Sequence, residues 1–354
     1  MQKLVFILCL LFSLTVTAQK VDLDRSWLRF NYTRLPDMPL PADYRTYSFS
    51  IISTSTVRYL FPDEQVKGML MIEGWRQLEK KGHVNISISM QDIIIVSNTV
   101  QYRTEEIKDK DGKVTGKNYY YYPEVTYTWQ ATLGATDYKG TPVIRDYDYA
   151  DRRSYMIWKG PEFSTNALAN DYIYNNRMQI RDNLTQDNVT QTLKQFKNII
   201  NNRIGYRTWW ENDELWILNN KKHPESDGQL AALAAAKDAL ASLTATGGLE
   251  DAKVKFKPAI DYFNDLKKRI TGTEKADKKL RYAAFYNLAK IYLYLDMPDE
   301  AIKEGEGLEQ NDYDTKDGRR IKERAEELKK SFTINHTNTR HIAVDISGFA
   351  GPSN

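Results

Sequence analysis

The sequence predicts an α+β fold, with an N-terminal antiparallel sheet with helices followed by a C-terminal all-helical domain. Three observations carry that prediction. Between residues 44 and 158 apolar and aromatic side chains alternate with polar ones, the two-residue period of half-buried strands. Beyond residue 160 the apolar period lengthens to three and four, and beyond residue 228 every periodic segment is helical. The 354 residues are 41% apolar and 12% aromatic, enough for two cores. With 50 Lys and Arg against 47 Asp and Glu, the net charge of +3 gives no basic field for nucleic acid or anionic lipid.

The first residues read as an address. Lys3, the apolar run from Leu4 to Leu14 and the small residues up to Ala18 follow the order of a secretory signal peptide, so residues 1–18 are expected to be removed before Gln19. Cys9, the only cysteine, follows Leu8, where a lipoprotein signal needs a small residue, which argues against a lipid anchor. A cysteine-free mature chain excludes disulfides, thiolate metal sites and cysteine nucleophiles. No later stretch approaches the roughly 20 apolar residues of a membrane-spanning helix. A large exported chain without disulfides, its signal ending Ala-Gln, resembles Bacteroidetes envelope proteins. That resemblance implies the periplasm or cell surface, with peripheral outer-membrane association left open.

The domain of residues 19–220 opens on a Pro-rich extended lead-in to about residue 44. A strand follows over 44–52, then a helix over 63–81 with Val66, Leu70, Gly74 and Leu78 stacked at four-residue spacing. Residues 84–102 carry the clearest strand period, with Asp92 and Asn98 as expected kinks or bulges. The Asp-Gly of the turn at 108–113 marks a hairpin, and a return strand runs over 119–129. Segments 143–149 and 153–158 complete the sheet as a pair. Helices are expected over 163–176, with Ser164 as cap, and over 187–204, with Asp187 as cap. A short hairpin around Glu211-Asn212-Asp213 closes the domain. The polar stretch 221–228 reads as a linker. Helices then follow near 230–243 and 258–270.

At Phe285 the sequence Phe-Tyr-Asn-Leu-Ala-Lys-Ile-Tyr-Leu-Tyr-Leu-Asp-Met-Pro-Asp-Glu-Ala-Ile-Lys resembles a tetratricopeptide repeat, a 34-residue pair of antiparallel helices. Small Ala289 and Ala301 stand where the helices cross, and Leu288 and Tyr292 fill the space around them. Gly305 departs from the motif, which usually has an aromatic there. Ala259, Phe263 and Leu266 fit a preceding degenerate repeat, and Ile321, Ala325, Leu328 and Phe332 a final capping helix. The resemblance covers about residues 229–332 and implies partner recognition, with Tyr282, Phe285, Tyr286 and Tyr292 as candidate binding residues. The tail 333–354 is either a strand through Ile342, Val344 and Ile346 or disordered.

No Gly-rich phosphate loop and no Gly-x-Ser-x-Gly nucleophile elbow is present. His83, His223, His336 and His341 lack partners at metal-ligand spacing, and Asp109-Lys110-Asp111-Gly112 lacks the bidentate glutamate of a calcium loop, so neither metal nor cofactor is expected. Glu211 and Glu214 beside Trp209 and Trp210 have the carboxylate-and-indole composition of a glycan site. A hairpin with buried indoles and a solvated acidic turn explains the same residues more simply. The leading expectation is thus a non-enzymatic assembly protein with envelope protein partners, and the alternative a glycan-binding or glycan-hydrolysing one.

Overall fold

The structure is a computed structural model describing residues 21–352. The expected signal peptide and Cys9 lie outside the described residues. The chain divides into two units: a sheet unit of Met38–Arg207 with Asp345–Asn354, and a helical unit of the residues up to Asp37 with Thr208–Val344. The expected boundary near residue 220 and linker 221–228 therefore do not separate them. Ser226–Gly228 already opens a helix, and Gly228 lies so close to Tyr262 that an added Cβ would stand 2.4 Å from the ring.

The sheet unit begins with β2 (Thr46–Ser53), the second strand of an order β3-β2-β4-β7-β8. β2 lies parallel to β3 (Arg76–Gln77) and β4 (Val84–Met90), while β4, β7 (Ala131–Asp137) and β8 (Pro142–Ala150) are antiparallel. A parallel neighbour requires a crossover, which α1 (Ser55–Leu60) and α2 (Asp63–Met69) supply. The helix expected over 63–81 stops at Met69, and beyond it Gly74 takes a left-handed φ of 79° with Tyr206 packed against it. The long strand 84–102 divides at Gln91-Asp92-Ile93, where the Asp92 carboxylate accepts from Thr54 at 2.6 Å. Its second half is β5 (Ile94–Lys108) of a separate sheet, β5-β6-β9, with β6 (Val114–Thr128) and β9 (Met156–Lys159). The expected pairing of 143–149 with 153–158 does not occur: β8 pairs with β7 and β9 with β6. β7, Ala-Thr-Leu-Gly-Ala-Thr-Asp, has little apolar contrast because its neighbours crowd it. A Cβ on Gly134 would meet Asp146 at 2.5 Å and Ser87 at 2.7 Å.

One 39-residue helix, α3 (Asn166–Ile204), replaces the two expected. Thr165, not Ser164, caps it, accepting from the Leu168 N–H. Asn side chains along it donate to their own helix: Asn176 to Tyr172, Asn188 to Leu184 and Asn201 to Lys197, four residues back. Leu184, Val189, Leu193, Phe196 and Ile200 are buried in the core with Ile86, Ile88, Met90, Leu133 and Trp129. Each such side chain contributes about 1.5–3 kcal/mol. The Trp129 indole donates to Thr192 at 3.2 Å, so burial leaves no orphan donor.

In the helical unit the lead-in expected for residues 19–44 is largely a strand, β1 (Leu23–Arg34), and the expected hairpin is one strand, β10 (Arg207–Leu218), paired with it. Asp22 meets Asn219, Arg25 meets Trp216 and Tyr32 meets Glu211, so the two run in opposite directions. Then come α4 (Ser226–Ser242), α5 (Leu249–Arg269), α6 (Lys275–Tyr294), α7 (Pro298–Gln310) and α8 (Thr315–Asn335), each packed on the next. Their short connections force antiparallel neighbours. α5 starts nine residues before Pro258, which sits exposed within the helix, where solvent can hydrate the freed carbonyl. Ala289 and Ala301 are fully buried. At the crossing of α7 and α8 a Cβ on Gly305 would stand 3.1 Å from the Gly318 carbonyl, and one on Gly318 would stand 2.6 Å from that of Gly305. Up to Pro352 the tail forms no strand. Arg340 is buried, its carbonyl accepts from Thr33 N–H at 2.8 Å, and its guanidinium donates to Asp296 at 2.6 Å.

Candidate functional site

The β1–β10 ribbon gives the helical unit two chemically different faces, because successive strand residues point to opposite sides. On the inner side Leu28 and Phe30 join the helical core with Leu215. Beside them Asp213, buried, accepts from Lys290 at 2.6 Å and Arg324 at 3.3 Å. Arg324 also bonds Glu211, which accepts from the Tyr32 hydroxyl at 2.9 Å. Burial, reinforced by Glu211, pushes the Tyr32 hydroxyl up to about 12. Burial opposes the charge on Arg324, but Glu211 and Asp213 outweigh it and raise its pKa. Glu211 and Asp213 are thus each paired with a cation.

On the outer side Arg29 lies over Trp210 at 4.5 Å, and Arg25 over Trp216 at 5.0 Å and 3.5 Å from Glu214. Trp209 is covered instead by Arg34 at 5.7 Å, from the opposite parity of β1. The four residues of the expected glycan site are therefore split. Trp209 and Glu211 lie on one face, Trp210 and Glu214 on the other, and the two carboxylates do not flank a common space. Both indoles are exposed, Trp209 by 37% and Trp210 by 53%, rather than buried.

The candidate binding residues are split as well. Tyr282 and Tyr286, one turn apart on α6, form an aromatic cluster with Trp216 and Tyr313, with neighbouring centroids 5.2–6.3 Å apart. Tyr282 donates to Asp317 at 2.5 Å. Burial raises the pKa of both tyrosines, helped by Asp317 at Tyr282 and by Asp213 at Tyr286. Phe285 faces Gly307 on α7, with Lys267 at 5.0 Å from its ring, and Tyr292 packs at the edge of the helical core. Tyr282 and Tyr286 line a concave surface. It is a cleft of about 520 Å³ walled by Arg25, Glu214, Trp216, Lys279, Asp317 and Arg320 as well. A second cleft of about 390 Å³ shares Tyr286, Asp317 and Arg320 and continues along α8 past Lys290 and Arg324. Sequence reading passes over Arg25, Lys279 and Arg320, since nothing local brings the start of the chain beside α6 and α8.

A surface that alternates aromatic rings with both signs of charge can hold a polar chain by stacking and hydrogen bonding. Among the described residues no group of three or more His, Cys, Asp or Glu is placed to hold a metal ion. No described helix is long and apolar enough to cross a membrane.

No family model matches the chain, and no curated protein matches it. Among solved structures it is similar to the minor lipoprotein of Acinetobacter baumannii, with 11% identity and a TM-score of 0.21 over 45% of this chain and 95% of that one. A TM-score that low carries no argument about what this chain does.

Proposed function

We propose that the protein is an exported, non-enzymatic scaffold of the bacterial envelope, whose helical unit is a short tetratricopeptide-like array and whose α6–α8 cleft receives a protein partner. The observation that carries this reading is the succession of antiparallel helices α4 to α8, drawn together at small residues, with an aromatic and ionic cleft along α6 and α8. Such stacks bury their core between neighbours and leave one side for recognition. The neutralised carboxylates favour binding over hydrolysis. The test is affinity capture of the tagged protein from crosslinked envelopes, comparing the native chain with Lys279→Glu/Arg320→Glu, which reverses two cleft-wall cations. A stoichiometric partner lost in the variant supports the reading. No partner, or one that the variant retains, refutes it.

A glycan-binding reading is favoured by one observation: exposed Trp27 and Trp210 on the outer ribbon face. It predicts retention on cell-wall glycan that falls at least tenfold in Trp27→Ala/Trp210→Ala. Unchanged retention would dismiss it.

A further inference from the structure

β5 and β6 form a hairpin of two 15-residue strands of which the sheet supports only the base. β9 pairs with β6 over Glu124–Tyr127, and Phe163 bridges to Tyr121. Beyond that level both faces are open: residues 101–108 are exposed at every position, and on one face Tyr102 is 60% and Tyr119 48% exposed. Among the described residues the outer edge of β5 has no strand partner. A two-stranded ribbon is marginal in water, and a long flat edge is a template for another strand unless charge, Pro or a bulge blunts it. Here the register shifts fall at Ile95/Ser97 and Ile107/Lys108, and the run between them contains neither Pro nor Gly.

The charges in that run decide the partner. They are Arg103, Glu105 and Glu106, with Arg103 held from the β6 side by Glu162 at 2.5 Å and stacked on Tyr120 at 4.3 Å. In an antiparallel pair of identical strands related by a two-fold axis, one residue faces itself. Placing the axis at Arg103, Glu105 or Glu106 opposes like charges. Placing it at Thr104 sets Arg103 against Glu105 of the second copy, twice, and Tyr102 against Glu106 across a nine-residue overlap. It also extends one aromatic face, Tyr102, Tyr119 and Tyr121, across both copies, since side-chain parity is conserved across such an axis.

We propose that the protein pairs with a second copy of itself through the outer edges of β5, antiparallel and centred on Thr104. The arms then form one four-stranded ribbon, in which each copy's edge is paired over residues 100–108.

Directly opposed residues have Cα atoms about 4.5–5.5 Å apart, within disulfide reach. In a Cys9→Ser background, oxidised Thr104→Cys should yield a covalent dimer and Val100→Cys, which faces Lys108, should not. Sedimentation of the full chain at tens of micromolar should give twice the monomer mass. Glu105→Arg alone and Arg103→Glu alone should each sediment as monomers. Mixed, they should form a heterodimer, because each then presents the charges that the other needs, and that recovery shows both variants are folded. A monomeric native chain, equal crosslinking at 100 and 104, or no recovery on mixing would overturn the proposal. So would capture of an unrelated strand on the edge of a monomeric protein.

Discussion

Asp296 and Arg340 show how single residues hold the helical unit's end in place. Asp296 follows α6 with a φ of 56°, its carboxylate has no exposure, and it accepts from the guanidinium and the N–H of Arg340 and from the Thr339 hydroxyl. Removing one partner of a buried pair strands the other charge, so Arg340→Met should cost about 3–5 kcal/mol in denaturant unfolding. A loss under 1 kcal/mol would mean that the strap is not held there. Gly318 makes the complementary point about space. Its substitution by Leu at the α7–α8 crossing should cost about 1–3 kcal/mol by forcing the helices apart. Gly305 was legible in the sequence as a departure from the repeat pattern. Its role was not, because that depends on Gly318 standing opposite. Tyr282 and Tyr286 were legible as aromatic, but only the structure shows that Phe285 turns to Gly307 of α7 instead of joining them.

Among elements, legibility followed how local the determining forces are. β2, β4 and α4 were readable because their own periodicity is what the core uses. α3 was read as two helices because Asp187 has the chemistry of an N-cap, yet it lies inside one continuous helix. β1 and β10 could not be read as partners, since a polar, Pro-flanked segment becomes a strand only against a neighbour some 180 residues away. The α4–α5 pair carries a pH signature. Glu225 at the start of α4 accepts from Arg269 at 2.7 Å, and that bond holds its carboxyl below the usual 4.5. A carboxyl with a lowered folded pKa adds stability above its unfolded value and loses it as pH falls through the folded one. The native chain should therefore lose stability below about pH 4.5 more steeply than Glu225→Gln, which urea midpoints across pH 3–6 would show. Parallel slopes would remove Glu225 from the account.

The whole chain divides where no composition shift announces it. Both units are assembled from distant segments: the helical unit takes β1 from before the sheet unit and β10 from after it, and the sheet unit takes the last ten residues. The repeat-like stretch is thus part of a core rather than a domain that can be cut out. Phe30, from β1, packs against Tyr294 of α6 with ring centroids 4.7 Å apart and is 2% exposed. A fragment of residues 229–332 leaves that surface bare and should melt without a cooperative transition by circular dichroism. A sharp transition would show the helices sufficient on their own.

The central claim is that the α6–α8 cleft of the helical unit receives a protein partner. Site-specific photocrosslinking in cells tests it most directly, with a photoreactive residue in place of Arg320 in the cleft and, separately, of Lys139 on the sheet unit. A single discrete adduct at position 320 with none at 139 is the predicted result. No adduct at 320, or the same adducts at both positions, would contradict it.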